Sequence, residues 1–261
     1  MMFSQEKSEG RLFKSIRYLK LMCYQGDQTE FPYRFFLKVR NIEKLLVGCS
    51  SFREIFPWML ESEDSESFTR EFGFLPCLKE LELIDLGELE CIGLEHLWHA
   101  VPNLLKSLCV VECSSLVRLV VYPVSFSSLV NLTVTKCHKL EYVFTSSTAK
   151  SLTSLKNMSI SKCDSMTVVV AEVVNSSGKE GIMIGQLQTV SLYSLPKLEC
   201  FYSGSCRLKF ASLTDVSITE CGIMEFFCQR GDLTTAQWPS NLNTRIQVEH
   251  AKVSILFCWL A

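Results

Sequence analysis

The chain lacks any apolar run of the length that a signal peptide or a membrane span requires. Its N-terminal stretch, MMFSQEKSEGRLFKSIRYLK, carries charges throughout, so export by a cleaved leader is not expected and a cytoplasmic location is. The stretch Ala251–Ala261 is apolar but has only about half of the roughly 20 residues that cross a bilayer. It either covers the open end of a core or is an unnatural terminus left by altered splicing or translation into an intron. Charge of one sign is also scarce. The formal net charge is -2, with no clustered basic surface of the kind that nucleic acid selects. Histidine is limited to four scattered residues, which leaves no base and orienting group to set beside a cysteine nucleophile. No G-x-x-x-x-G-K-[ST] phosphate loop occurs, so nucleotide binding is not expected. The chain is read as no enzyme, with no cofactor and no metal.

What the chain has is a repeat. Leu129, Leu132, Val134, Cys137, Leu140 and Val143 fall at positions 1, 4, 6, 9, 12 and 15 of a template. Leu155, Met158, Ile160, Cys163, Met166 and Val169 fit it, as do Leu213, Val216, Ile218, Cys221, Met224 and Phe227. Leu105, Leu108, Val110, Cys113, Leu116 and Leu119 make another copy, and the copies that start at Leu78 and Leu187 place leucine at position 9. An earlier copy, Ile42, Leu45, Val47, Cys49, Phe52 and Ile55, reads as one residue short before its cysteine, and Ile16, Leu19 and Leu21 look like the stub of one more. The copies recur every 24 to 36 residues or so, the range of a solenoid.

Within each unit the apolar period changes. Positions 4 and 6 alternate with polar residues, as in a short half-buried strand. Thereafter the apolar residues come every three, which suits 3₁₀ or irregular helix. One such unit cannot cover its own apolar face and must stack on neighbours. The predicted fold is therefore an α/β-type solenoid, a leucine-rich-repeat horseshoe with a parallel concave β-sheet and an irregular or 3₁₀ convex side. With 48% hydrophobic residues the chain has enough apolar mass for such a core. Residues 1–30 are read as a partial repeat or edge, 31–228 as the repeats, with insertions at about 58–74 and 172–185, and 229–261 as a partial coil and tail. The first insertion holds the acidic run Glu61–Glu66, read as a solvated loop, and both are expected on one rim or on the back. The absence of a polar cap before the first repeat predicts a piece of a longer protein.

Thirteen cysteines are an odd count, which argues against a closed disulfide framework. Five of them, Cys49, Cys113, Cys137, Cys163 and Cys221, are assigned to position 9, where a buried, reduced thiol packs like a small hydrophobe. Cys91, His96 and His99 have a spacing that matches no standard zinc pattern. The sequons at Asn131, Asn157 and Asn175 would matter only in a secreted chain.

The remaining surface with functional promise is the strand face. Positions 3, 5, 7 and 8 flank the buried ones, and strand alternation turns at least the first three outward. The predicted partner-binding residues are Glu80, Glu82, Asp85 and Glu112; Asn131, Thr133, Thr135 and Lys136; Asn157, Ser159, Ser161 and Lys162; Ser191 and Tyr193; and Asp215, Ser217 and Glu220. Acidic side chains thus bracket a basic, hydroxyl-rich centre, a pattern suited to selecting a protein partner.

Four segments carry a family resemblance: 39–57 (VRNIEKLLVGCSSFREIFP), 126–144 (FSSLVNLTVTKCHKLEYVF), 151–170 (SLTSLKNMSISKCDSMTVVV) and 187–202 (LQTVSLYSLPKLECFY). They closely resemble the leucine-rich-repeat region of plant coiled-coil NLR (NBS-LRR) disease resistance proteins, in which units ending in V-F alternate with units carrying L-P-x-L. Both occur here, the second as Leu195-Pro-Lys-Leu198. The resemblance implies an intracellular recognition module for a pathogen effector or a guarded host protein, which would also contact an adjoining nucleotide-binding domain. The signalling coiled coil and nucleotide switch are missing, so a fragment or repeat-only relative is expected. The alternatives are the substrate-binding repeat module of a ubiquitin ligase, a receptor ectodomain and a non-functional remnant.

Overall fold

The computed structural model describes residues 13–24, 31–36, 38–55, 75–92, 104–120, 124–172, 181–204, 208–221, 224, 226–228 and 236–237. The run Glu61–Glu66, His96 and His99, Asn175 and the tail from Trp238 onward lie outside them.

Eight five-residue strands form one parallel sheet: β1 (Tyr18–Met22), β2 (Lys44–Gly48), β3 (Glu80–Ile84), β4 (Ser107–Val111), β5 (Asn131–Thr135), β7 (Asn157–Ser161), β10 (Thr189–Tyr193) and β13 (Asp215–Thr219), stacked in that order. The register is the sequence repeat itself. Leu132 faces Leu108 on one side and Met158 on the other, and Val134 faces Val110 and Ile160. A slip by one residue would turn every buried side chain to solvent. The register therefore follows from burial: positions 4 and 6 from Leu45 to Ile218 are all at most 5% exposed. Even Ile16, Leu19 and Leu21, read from sequence as a stub, supply a complete rung, because β1 pairs with β2 along its whole length.

Each strand ends in the same way. The residue at position 8 adopts a left-handed conformation in Cys23, Cys49, Asp85, Glu112, Lys136, Lys162, Ser194 and Glu220, with φ between 50° and 58°. Its backbone N–H still reaches the next coil, as from Glu112 to the Thr135 carbonyl and from Lys136 to the Ser161 carbonyl, each at 2.9 Å. The chain then turns: the N–H of position 12 bonds the carbonyl of position 9, from Leu140 to Cys137 at 3.1 Å and from Leu116 to Cys113 at 3.2 Å. That turn is the physical reason for the spacing of three after the strand.

Beyond the turn no 3₁₀ helix is assigned among the described residues; the crossing is irregular and then extended. Short parallel strands β6 (Phe144–Thr145), β8 (Val168–Ala171), β11 (Cys200–Tyr202) and β14 (Phe226–Cys228) make a second sheet. A third joins β9 (Ile182–Met183), β12 (Leu208–Lys209) and β15 (Ala236–Gln237). The V-F ending explains the second sheet, since Val143, Phe144, Val169, Val170 and Phe201 are buried and largely β-branched or aromatic. The solenoid with its parallel sheet is as the repeat predicted, with short extended segments on the crossing side and an α-helical turn at Ser146–Ala149, capped by Thr145.

The assignment of Cys49 needs correcting. Counting from Ile42, the register through β2 has no missing residue. Cys49 is the exposed, left-handed residue of position 8, and Ser50 occupies position 9. The Ser50 hydroxyl donates to the Gly48 carbonyl at 3.0 Å, as the thiols of Cys137 and Cys163 do to the carbonyls of Thr135 and Ser161 at 3.6 and 3.3 Å. The shortening falls after Ser50, since the Ile55 N–H already bonds the Ile92 carbonyl at 3.2 Å. Cys113, Cys137, Cys163 and Cys221 are buried, and no disulfide joins the described cysteines.

Two substitutions probe this core. Leu132→Ala removes a side chain packed between Leu108 and Met158, and urea unfolding should register a loss of about 2–5 kcal/mol. Gly48 admits no Cβ, which would lie 2.8 Å from Met22 Sδ and 2.9 Å from the Ile84 carbonyl oxygen. Gly48→Ala should lower stability by about 1–3 kcal/mol in the same measurement.

Candidate partner-binding face

The strand register lines up the outward positions in columns. Position 3 runs Tyr18, Lys44, Glu80, Ser107, Asn131, Asn157, Thr189, Asp215, and position 5 runs Lys20, Leu46, Glu82, Cys109, Thr133, Ser159, Ser191, Ser217. Position 7 brings Thr135, Ser161 and Tyr193 into line, and the left-handed position 8 adds Asp85, Glu112, Lys136, Lys162 and Glu220 at the strand ends. All the residues named from the sequence therefore share one surface. None of those at positions 3, 5 and 7 is buried.

The columns are internally bonded. Asn157 Nδ2 donates to Asn131 Oδ1 at 2.7 Å, and Thr189 Oγ1 donates to Asn157 Oδ1 at 2.8 Å. Thr135 and Ser161 share a hydroxyl–hydroxyl bond of 3.0 Å. In-register stacking puts like residues about 4.8 Å apart, the separation that side-chain amides and hydroxyls bridge. This ladder fixes the rotamers of the central side chains before any partner arrives.

The charges also close on one another. Lys136 forms an ion pair with Glu112, and that bond, with the attraction behind it, holds the Glu112 carboxyl below its usual pKa. Lys162 Nζ sits 5.9 Å from the centroid of the Tyr193 ring, within cation–π range. Lys44 bridges Glu82 at 2.6 Å and Glu80 at 3.1 Å, and those two bonds keep its ammonium above the usual lysine range. Part of the acidic zone read from the sequence, Glu80, Glu82 and Glu112, is thus paired across strands with Lys44 and Lys136. Lys44 and Lys20 belong to the face but were not named from the sequence, where the outward positions were read only from the copy at Leu78 onward.

Among the thiols behind the face, bonds with Cys137 hold those of Cys113 and Cys163 below their usual pKa. Hydrogen bonds to Cys113 and Cys163, together with burial, push the Cys137 thiol far above its usual pKa. Burial likewise raises Cys221 and, with the nearby Glu82 carboxylate, Cys109. Among the described residues no group of three or more His, Cys, Asp or Glu is arranged to hold a metal ion, and no helix is long and apolar enough to cross a membrane.

A family comparison adds the decisive observation. Residues 120–227 match the family model described as plant disease resistance protein RPS2-like, leucine-rich repeats. That segment is similar to leucine-rich repeats of the plant disease-resistance type. No curated protein and no solved structure matches it. The matched segment contains β5, β7, β10 and β13. The parallel sheet continues in register through β4, β3, β2 and β1, beyond the matched residues.

The ion pair on this face has a direct signature. In Lys136→Met the Glu112 carboxyl should lose its bonded cation and titrate at higher pH than in the wild type, as followed by carboxyl-carbon NMR. Stability supplied by this pair is present above the unfolded-state pKa of Glu112 and is lost as pH falls through its lowered folded-state value.

Proposed function

We propose that this chain is a non-enzymatic protein-recognition module of a plant intracellular immune receptor, and that it works in the cytoplasm. The observation that carries this reading is the eight-stranded face whose polar side chains are preset by cross-strand bonds, within repeats of the plant disease-resistance type. Solenoids use such extended sheets to bind partners. The partner is a pathogen effector, a guarded host protein or the nucleotide-binding domain of the receptor.

On this reading recognition rests on Glu80, Glu82, Asp85 and Glu112 toward one edge, and Asp215, Ser217 and Glu220 toward the other. Between them lie Asn131, Thr133, Thr135, Lys136, Asn157, Ser159, Ser161, Lys162, Ser191 and Tyr193. Because the lysines are already engaged with Glu112 and Tyr193, a partner meets few bare charges here. It is read through preordered amides, hydroxyls and the Tyr193 ring, which costs little ordering entropy on association. Tyr193, 37% exposed, supplies the kind of rigid aromatic contact that dominates interfaces.

The test is co-precipitation from plant cytosol with mass spectrometry, using the wild type, Lys136→Glu/Lys162→Glu, and the control Lys197→Glu in the turn after β10. The reading expects a nucleotide-binding receptor fragment, an effector or a specific host protein with the wild type and the control. The double variant should recover it at least tenfold less while melting at nearly the same temperature. Equal recovery by all three chains would remove this face from recognition.

A further inference from the structure

Position 8 presents its side chains outward, and in the first two coils both residues are cysteine: Cys23 follows β1 and Cys49 follows β2. Their backbones are equivalent. Met22 and Gly48 are register partners, the Cys23 N–H donates to the Gly48 carbonyl at 3.0 Å, and the φ angles are 51° and 50°. Adjacent parallel strands are about 4.8 Å apart, which falls inside the Cα separation that a disulfide spans. The similar φ angles give both strand ends the same turn, so closure needs only a small inward shift from the strand spacing to the roughly 3.5–4.5 Å between the Cβ atoms of a disulfide. Both residues are exposed.

A second cysteine column supplies the contrast. Cys113, Cys137 and Cys163 are also stacked coil on coil, but all are 0% exposed. Solution oxidants reach the first column and not the second, since thiol reactivity requires access.

We propose that Cys23 and Cys49 form a reversible dithiol that closes to a disulfide under oxidising conditions and staples the first coil to the second. The oxidant is a low-molecular-weight disulfide such as oxidised glutathione. The Cys23 thiolate attacks one of its sulphurs, making a mixed disulfide and expelling one glutathione thiolate. The Cys49 thiolate then attacks the Cys23 sulphur, forms the Cys23–Cys49 bond and expels the second glutathione. Two protons leave the protein thiols, and two electrons reside on the two glutathione molecules released. Desolvation, Cys23 and Asp85 raise the Cys49 thiol above its ordinary pKa, which lowers its thiolate fraction, while the proximity of the pair favours closure.

The experiment treats the folded full chain with oxidised glutathione, blocks residual thiols with iodoacetamide and maps tryptic peptides. Peptides 21–34 and 45–53 each contain a single cysteine, so their linkage is unambiguous. The expected product is that linked pair, two hydrogens lighter than the sum and reversed by dithiothreitol. It should form at least tenfold faster than any adduct on Cys113, Cys137 or Cys163. In Cys49→Ser the reaction should stop at a glutathione adduct on Cys23. Separate glutathione adducts on Cys23 and Cys49 in the wild type, without linkage, would overturn the proposal. So would linkage that appears only once the chain is unfolded in urea.

Discussion

In-register stacking of parallel coils is the constraint on which everything else in this protein depends. One coil has no second layer; its leucines are covered only by the leucines of the coils above and below. The same stacking supplies the partners for its backbone N–H and carbonyl groups, from the start of the strand through the left-handed residue that ends it. Burial and hydrogen bonding thus demand one identical offset. A coil displaced by a single residue would lose both at once, and this explains why a strict template persists through variable insertions.

Most of the fold was legible in sequence because it is written in side-chain type. Leucine, valine or isoleucine at positions 4 and 6 announces a strand, and cysteine at 9 followed by an apolar residue at 12 announces a turn. What escaped were features set by backbone conformation. Nothing in the identities of Asp85, Glu112 and Lys136 signals a left-handed residue, since glycine, the usual marker, is absent there. Counting to the nearest cysteine also misassigned Cys49. A serine hydroxyl can make the position-9 bond as well as a thiol, so Ser50 held the place unrecognised.

The face was legible as a set of residues but not as a set of bonds. Alternation said which side chains point outward, and the sheet brings all of them together. That Lys136 would be joined to Glu112, or Asn131 to Asn157, depends on lateral neighbours from different coils, whose offset a sequence gives only if the repeat is counted without error. Lys44, at position 3 of the β2 unit, shows this: its bonds to Glu80 and Glu82 reach across to the next coil.

The left-handed column also limits how such a surface can diversify. Positions 3, 5 and 7 accept threonine, valine or isoleucine, as at Thr133, Val111 and Ile84. Position 8 holds only unbranched or short side chains along the solenoid, because a β-branched residue at positive φ is a genuine outlier. One outward column in four therefore draws on a reduced alphabet, rich in Lys, Glu, Asp, Ser and Cys. Variation there can exchange charge and reach but not stiff, β-branched bulk along one border of the sheet.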